Sequence, residues 1–164
     1  MSTTGSYDHE YIPPEADVVV GMGEFGTATN GELIATYGLG TCTGVGMYDA
    51  TTETAYMTHS DGVVDLRQLA AVVGAISSTR ADAAKLKAWV AGAMDVTVDG
   101  EVMEMTQRDE VLEVLTAAGI LEASVEVRWL EPGEVADIVI DSATGEGQIV
   151  VDYEDMWYQD DVDD

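Results

Sequence analysis

Apolar and polar positions along this chain fall into short runs and alternations that predict strands arriving in groups, with two stretches of helical spacing between them. "ADVVVGMGE" (16–24) is an apolar run stopped by glycines, and "GELIATYG" (31–38) is a second strand. "TCTGVGMYD" and "ETAYMTHS" read as a hairpin around Asp49, Ala50, Thr51 and Thr52, where Asp49 suits the opening of a type I turn. In "DLRQLAAVVGAISST" the period changes: Leu66, Leu69, Val73 and Ile76 fall at helical spacing behind Asp65 as N-cap. "KLKAWVAGAM" and "EVMEM" return to strands, and "TQRDEVLEVLTAAG" is a second helix, opened by Thr106 with Asp109 three residues on and closed by Gly119. "SVEVRWL", "VADIVIDS" and "EGQIVVD" end the pattern, the last two joined across "SATG", where Gly145 permits a left-handed turn residue. Seven or eight strands and two helices without strict alternation predict an α+β fold.

Length and charge then bound the class. A chain of 164 residues holds one sizeable core, so a single domain over 17–151 is expected, with a polar segment (1–16) before it and an acidic tail (152–164) after it. The opening "MSTTGSYDHEYIPPEAD" has neither the basic end nor the apolar stretch of a secretory signal, and no apolar run is long enough to span a bilayer, so a cytoplasmic protein without membrane insertion is expected. Thirty-two acidic against six basic side chains give a formal charge of −26. Such a charge strains a compact fold in dilute buffer but is tolerable near 1 M salt, where the Debye length shrinks to about 3 Å. The acids are scattered over nearly every segment, which reads as a salt-adapted, halophilic surface rather than a patch for a basic partner. No basic stripe is present to neutralise phosphates, which argues against nucleic acid.

Little chemistry survives this screen. One cysteine excludes an internal disulfide, and with two histidines, one of them His9 in the polar segment, no zinc ligand set can be assembled. "GMGEFG" (21–26) has no helical pattern behind it to supply amides to a phosphate. Cys42 and His59 remain. A single cysteine in a strand is most often a buried hydrophobe. The hairpin changes that reading, because a loop of Asp49 to Thr52 pairs Tyr48 with Glu53 and sets Cys42 directly opposite His59, with Cβ atoms about 4.5–5.5 Å apart. A slip of one residue would send the two to opposite faces. Gly38 and Gly40, on either side of Leu39, let the backbone turn sharply and aim amides beside the sulfur, as an oxyanion hole requires. Thr36 is either a residue that orients the imidazole or an ordinary strand threonine.

"TYGLGTCTGVGMYD" followed by His59 resembles the signature of the CheD family, chemoreceptor glutamine deamidases: a threonine, a glycine-leucine-glycine turn, a small hydroxyl residue, the nucleophilic cysteine, a short strand ending in aspartate, then histidine. The similarity runs from about Val18 to Val151, with Asp65, "VAGAM" (90–94) and "DSATGEGQIV" matching further family features. The resemblance implies stacked mixed or antiparallel sheets with about two helices on one side. It also implies a nucleophile at Cys42, a general base at His59, an orienting Thr36 and an oxyanion turn formed by Gly38, Gly40 and Thr41. The implied substrates are glutamine side chains of methyl-accepting chemotaxis receptors, the implied partner is a CheC-type phosphatase, and the implied state is a monomer needing neither metal nor other cofactor. The chain departs from the pattern in "SDGVV" after His59, in "TQRD", which keeps Arg108 but has Asp109 in place of asparagine, and in "EPGEVAD", which lacks the family's glycine-arginine.

Overall fold

A computed structural model describes residues 15–60, 66–78, 85–94, 96–103 and 108–153. The polar segment up to residue 14 with His9, the Asp65 N-cap, the Thr106 helix opening and the tail beyond Tyr153 lie outside these residues. The strands are β1 (Val18–Val19), β2 (Phe25–Ala28), β3 (Leu33–Leu39), β4 (Thr43–Asp49), β5 (Thr54–Ser60), β6 (Leu86–Gly92), β7 (Val96–Val98), β8 (Glu101–Met103), β9 (Val125–Trp129), β10 (Glu134–Asp141) and β11 (Gly147–Tyr153). The helices are α1 (Leu66–Ser78) and α2 (Arg108–Ala117).

Strand β4 dictates the layering. Every one of its residues is buried, so both of its faces must be covered. Val45 and Met47 point to one side, where they meet Leu69, Val72, Val73 and Ile76 of α1 and Val111 and Leu115 of α2. Gly44 and Gly46 point to the other, where a Cβ would come within 2.7 Å of Leu39 Cδ1 and of Ile140 Cδ1 respectively. The glycines thus let a second sheet approach closely, and its Ile34, Ile138 and Ile140 are completely buried against Met57, Trp89 and Ala91. Each of those isoleucines is worth about 1.5–3 kcal/mol relative to exposure.

The result is three layers. A five-stranded mixed sheet, in the order β9-β6-β4-β5-β2, carries both helices on one face, and a four-stranded mixed sheet, β11-β10-β3-β1, covers the other. The β9–β6 and β1–β3 pairs are parallel, and β7 and β8 form a separate antiparallel pair. This is the α+β architecture predicted from the pattern, with both helices on the same side.

The differences are local. The 16–24 run is a strand only at Val18–Val19, because the chain turns at Gly21 to Glu24, where the Glu24 N–H donates to the Gly21 carbonyl (3.0 Å). "FGTA" then forms β2, a strand the sequence reading omitted, as it omitted β7. Helix α2 ends as expected: Gly119 has φ +90°, the Gly119 N–H donates to Thr116 (2.9 Å) and the Ile120 N–H to Leu115 (3.2 Å). Gly145, with φ +76°, makes the left-handed turn of the final hairpin.

Candidate active site

The β4–β5 hairpin is displaced from its predicted register. Its loop is Ala50 to Glu53, not Asp49 to Thr52, so Tyr48 pairs with Ala55, and His59 pairs with Gly44 rather than Cys42. The cause is Asp49. It closes the ladder opposite Thr54 as a fully buried residue, and its carboxylate folds back over the loop to accept the Thr51 N–H (2.9 Å) and the Thr52 hydroxyl (3.0 Å). The displacement is two residues, and side chains alternate with period two, so it preserves the face. Cys42 precedes Gly44 by two positions, a diagonal rather than direct neighbour of His59, at a typical spacing of about 7–8 Å. Both lie between the sheets, Cys42 half-buried against the inter-sheet core and His59 6% exposed.

His59 is fixed through its backbone and its ring. Its carbonyl accepts the Gly23 N–H (2.7 Å) and its N–H donates to Glu24 (3.3 Å). Across the gap between the sheets, Nδ1 lies 2.6 Å from the Oγ1 of Thr36, which is wholly buried on β3. The Thr36 hydroxyl also contacts the Val20 carbonyl oxygen at 2.7 Å. A carbonyl can only accept, so the single hydroxyl proton of Thr36 goes to Val20, and the second contact must run from the ring to the hydroxyl. Nδ1 therefore carries the proton, and Nε2 of the neutral ring is left with its lone pair. Burial lowers the pKa of His59 from its ordinary value, which favours that neutral form.

The turn leading into Cys42 is shaped by a bulge. Tyr37 and Gly38 of β3 together face the single residue Asp137 of β10, and Gly38 takes φ +72°. The Gly38 N–H donates to the Asp137 Oδ1 (2.9 Å), so of the three oxyanion-turn residues expected from the sequence Gly38 supplies the bend but not a donor, its amide being already engaged. Gly40 and Thr41 follow it, half-buried. Desolvation raises the pKa of Asp137, the Gly38 amide partly opposes this, and Asp152 adds to it. Asp137 sits at an alternating polar position of β10, and nothing in the sequence distinguishes it from the other acids. The Val20 carbonyl is a backbone group and equally unreadable.

The end of β6 buttresses the same turn from below. The Ala93 N–H donates to the Cys42 carbonyl (2.8 Å) and the Met94 N–H to the Gly40 carbonyl (3.0 Å). Gly92 has φ +109°, and a Cβ there would collide with the Cys42 carbonyl oxygen. A cleft of about 760 Å³ opens at the opposite end of the strands, lined by Trp89, Lys87, Glu126, Asp141 and Gly147 among others, and none of the chemistry-bearing residues reaches it. Among the described residues, no group of three or more His, Cys, Asp and Glu side chains could hold a metal, and no helix is long and apolar enough to cross a membrane.

No protein-family model and no curated protein matches the chain. Among solved structures it is similar to the Bacillus licheniformis hypothetical protein YfiH (16% identity, 63% of this chain and 49% of that one, TM-score 0.48). YlmD from Geobacillus stearothermophilus (10%, 64% and 50%, 0.46) and Neisseria meningitidis protein NMB0706 of the DUF152 family model (13%, 70% and 58%, 0.39) are further neighbours. The chain spans 49–58% of the length of these proteins. The structural neighbours thus carry YfiH, YlmD and DUF152 names, and none of the three a chemoreceptor deamidase name.

Proposed function

We propose that the chain is a cysteine-dependent amidohydrolase whose substrate is the side-chain amide of protein glutamine, with chemoreceptors as the substrate class that its sequence resemblance suggests. The observation that supports this reading most directly is the Thr36–His59 contact, which assigns the proton to Nδ1 and leaves Nε2 as a base on the sheet face shared with Cys42. A neutral, desolvated imidazole suits general-base activation of a thiol better than a resting thiolate–imidazolium pair, which burial would penalise.

In this reading His59 Nε2 takes the thiol proton as Cys42 Sγ bonds to the amide carbon, and the carbonyl electrons move onto oxygen. The Gly40 and Thr41 amides are the candidate donors to that oxyanion. Collapse breaks the C–N bond, and the proton on Nε2 leaves with the amine as ammonia. Water, deprotonated by the same nitrogen, then attacks the thioester, giving glutamate and the free thiol. Glutamine and water become glutamate and ammonia, and no cofactor enters the balance.

The test is incubation with receptor cytoplasmic fragments in molar potassium chloride, read by mass spectrometry for amide-to-acid conversion. Conversion is expected from the native chain and none from Cys42→Ala or His59→Gln. Conversion that survives Cys42→Ala would overturn the proposal. Absence of conversion together with salt-stable capture of a CheC-type phosphatase would replace it with a binding module.

A further inference from the structure

Of six basic side chains in a protein with thirty-two acids, Arg108 is committed to a main-chain carbonyl beside the proposed site. At the start of α2 its guanidinium donates twice to the Ala93 oxygen, from Nε (3.1 Å) and from a terminal nitrogen (2.7 Å), and it lies 5.4 Å from the centre of the Trp129 ring. A planar fork held over an aromatic face has little freedom, so the carbonyl it grips is held too.

That carbonyl belongs to the peptide whose N–H is Met94, which donates to the Gly40 oxygen (3.0 Å), and the Gly40 carbonyl shares its peptide with the Thr41 N–H. The line runs from guanidinium to the Ala93–Met94 peptide to the Gly40–Thr41 peptide. Hydrogen bonds in series polarise one another, and here the series begins at a full positive charge. The neighbouring Ala93 N–H holds the Cys42 carbonyl (2.8 Å), which ties the same segment to the nucleophile's own backbone. Ala93 keeps φ +54° while wholly buried, a conformation unfavourable for a side-chain-bearing residue and stable only where its surroundings impose it.

We infer that Arg108 is a positioning residue for the oxyanion turn: through the Ala93–Met94 peptide it fixes and polarises the Gly40–Thr41 amide that faces developing negative charge during attack by Cys42. This rests on the cysteine-hydrolase reading and adds to it a residue on a different element.

Two reactions of the same thiol separate this role from simple support of the fold. With p-nitrophenyl acetate the sulfur attacks the acetyl carbon, an oxyanion forms, the C–O bond breaks, and p-nitrophenolate leaves a thioester. With iodoacetamide the sulfur displaces iodide from a saturated carbon and no oxyanion arises. Loss of a direct oxyanion donor lowers rates by about 10²–10³, so loss of a residue acting behind one should lower acylation about tenfold, while alkylation changes by less than about threefold. Arg108→Gln is expected to give that split, and Arg108→Lys, keeping the charge without the fork, to recover part of the acylation rate.

Acylation unchanged in Arg108→Gln, or acylation and alkylation falling together, would overturn the inference and leave the hydrolase reading intact. Should Arg108→Gln fail to fold, the same two rates in Arg108→Lys decide. Absence of Cys42-dependent acylation in the native chain would instead remove the hydrolase reading itself, and this inference with it.

Discussion

The two ends of the space between the sheets use the same device for different purposes. At the end where β10 turns into β11, a Cβ at Gly145 or Gly147 would strike the ring of Tyr48 or Trp89, so these glycines let a hairpin lie flat on aromatic side chains. At the end where β4 begins, Gly92 lets one stretch of backbone lie against another, the Cys42 carbonyl. The first end packs rings, joined by one hydrogen bond from the Tyr48 hydroxyl to the Ser142 carbonyl (3.1 Å). The second gathers buried polar groups and left-handed residues: Thr36, His59, Gly38, Gly92 and Ala93. The cleft lined by Trp89 lies at the aromatic end and the candidate site at the other, so the cleft does not mark the residues that the sequence singled out. Buried polar and left-handed residues occur at the aromatic end too, in Asp49, Ser142, Asn30 and Gly145, so the better guide is the buried side-chain contact across the sheets between Thr36 and His59.

The largest effect expected comes from adding one methyl group at each end. Gly92→Ala forces an L side chain to φ +109° and into the Cys42 carbonyl, so it should destabilise the fold by about 3 kcal/mol and displace the turn that carries Cys42. Cys42-dependent acylation should fall at least about 100-fold, the scale at which small misplacements of reacting groups are felt. Gly147→Ala presses on the Trp89 ring and should lower stability by about 1–3 kcal/mol, with the acylation rate of the folded fraction unchanged. Equal losses of acylation in the two variants, measured beside urea unfolding in molar salt, would show that the ends do not work separately.

Thr36→Val sharpens the comparison inside the polar end. The shape is nearly kept, but the His59 Nδ1–H loses its acceptor and the Val20 carbonyl its donor, an unsatisfied pair expected to cost about 1–3 kcal/mol. With the tautomer no longer fixed, acylation should drop about 10- to 100-fold, within the range of general acid–base contributions. Thr36→Ser, which keeps the hydroxyl, should restore most of the rate. Failure of serine to do so would mean that the threonine methyl, not the hydrogen bond, matters.

Much of this was legible in the sequence because period and punctuation are local. Leu69, Val73 and Ile76 are buried on α1 at the predicted spacing, joined by Val72, and Gly119 and Gly145 stand where the turns require them. The register was not legible, because it depends on whether the Asp49 carboxylate begins the loop or reaches back over it, a choice made by hydrogen bonds the sequence does not display. The face survived only because the error was an even number of residues. Strand β2 was missed because "EFGTATN" has little apolar alternation and pairs with β5 through its backbone. Asp137 and the Ala93 carbonyl belong to the site through long-range contacts with Gly38 and Arg108, and no spacing rule reports contacts of that kind.

The smallest effect expected is the pH dependence, and its sign follows from burial. His59 has its pKa lowered in the folded chain, so the unfolded chain binds the proton more readily. The stability from holding the ring neutral is therefore complete above the unfolded value of about 6.5 and is lost as pH falls below it toward the folded value. Asp137 opposes this, since its raised pKa makes the folded chain the better proton acceptor, in a window that opens above the unfolded aspartate value. Asp137→Asn keeps an oxygen for the Gly38 amide and removes the second titration, so the melting temperature of that variant should fall steadily between pH 7 and pH 5. Adding His59→Gln should flatten that part of the curve. Burial lowers the pKa of His59, so with His59 as the proposed base the acid limb of the acylation profile should lie on the acidic side of a free imidazole's. An acid limb above pH 7 would mean that the imidazolium is favoured in the folded protein, against the neutral ring that burial of His59 implies.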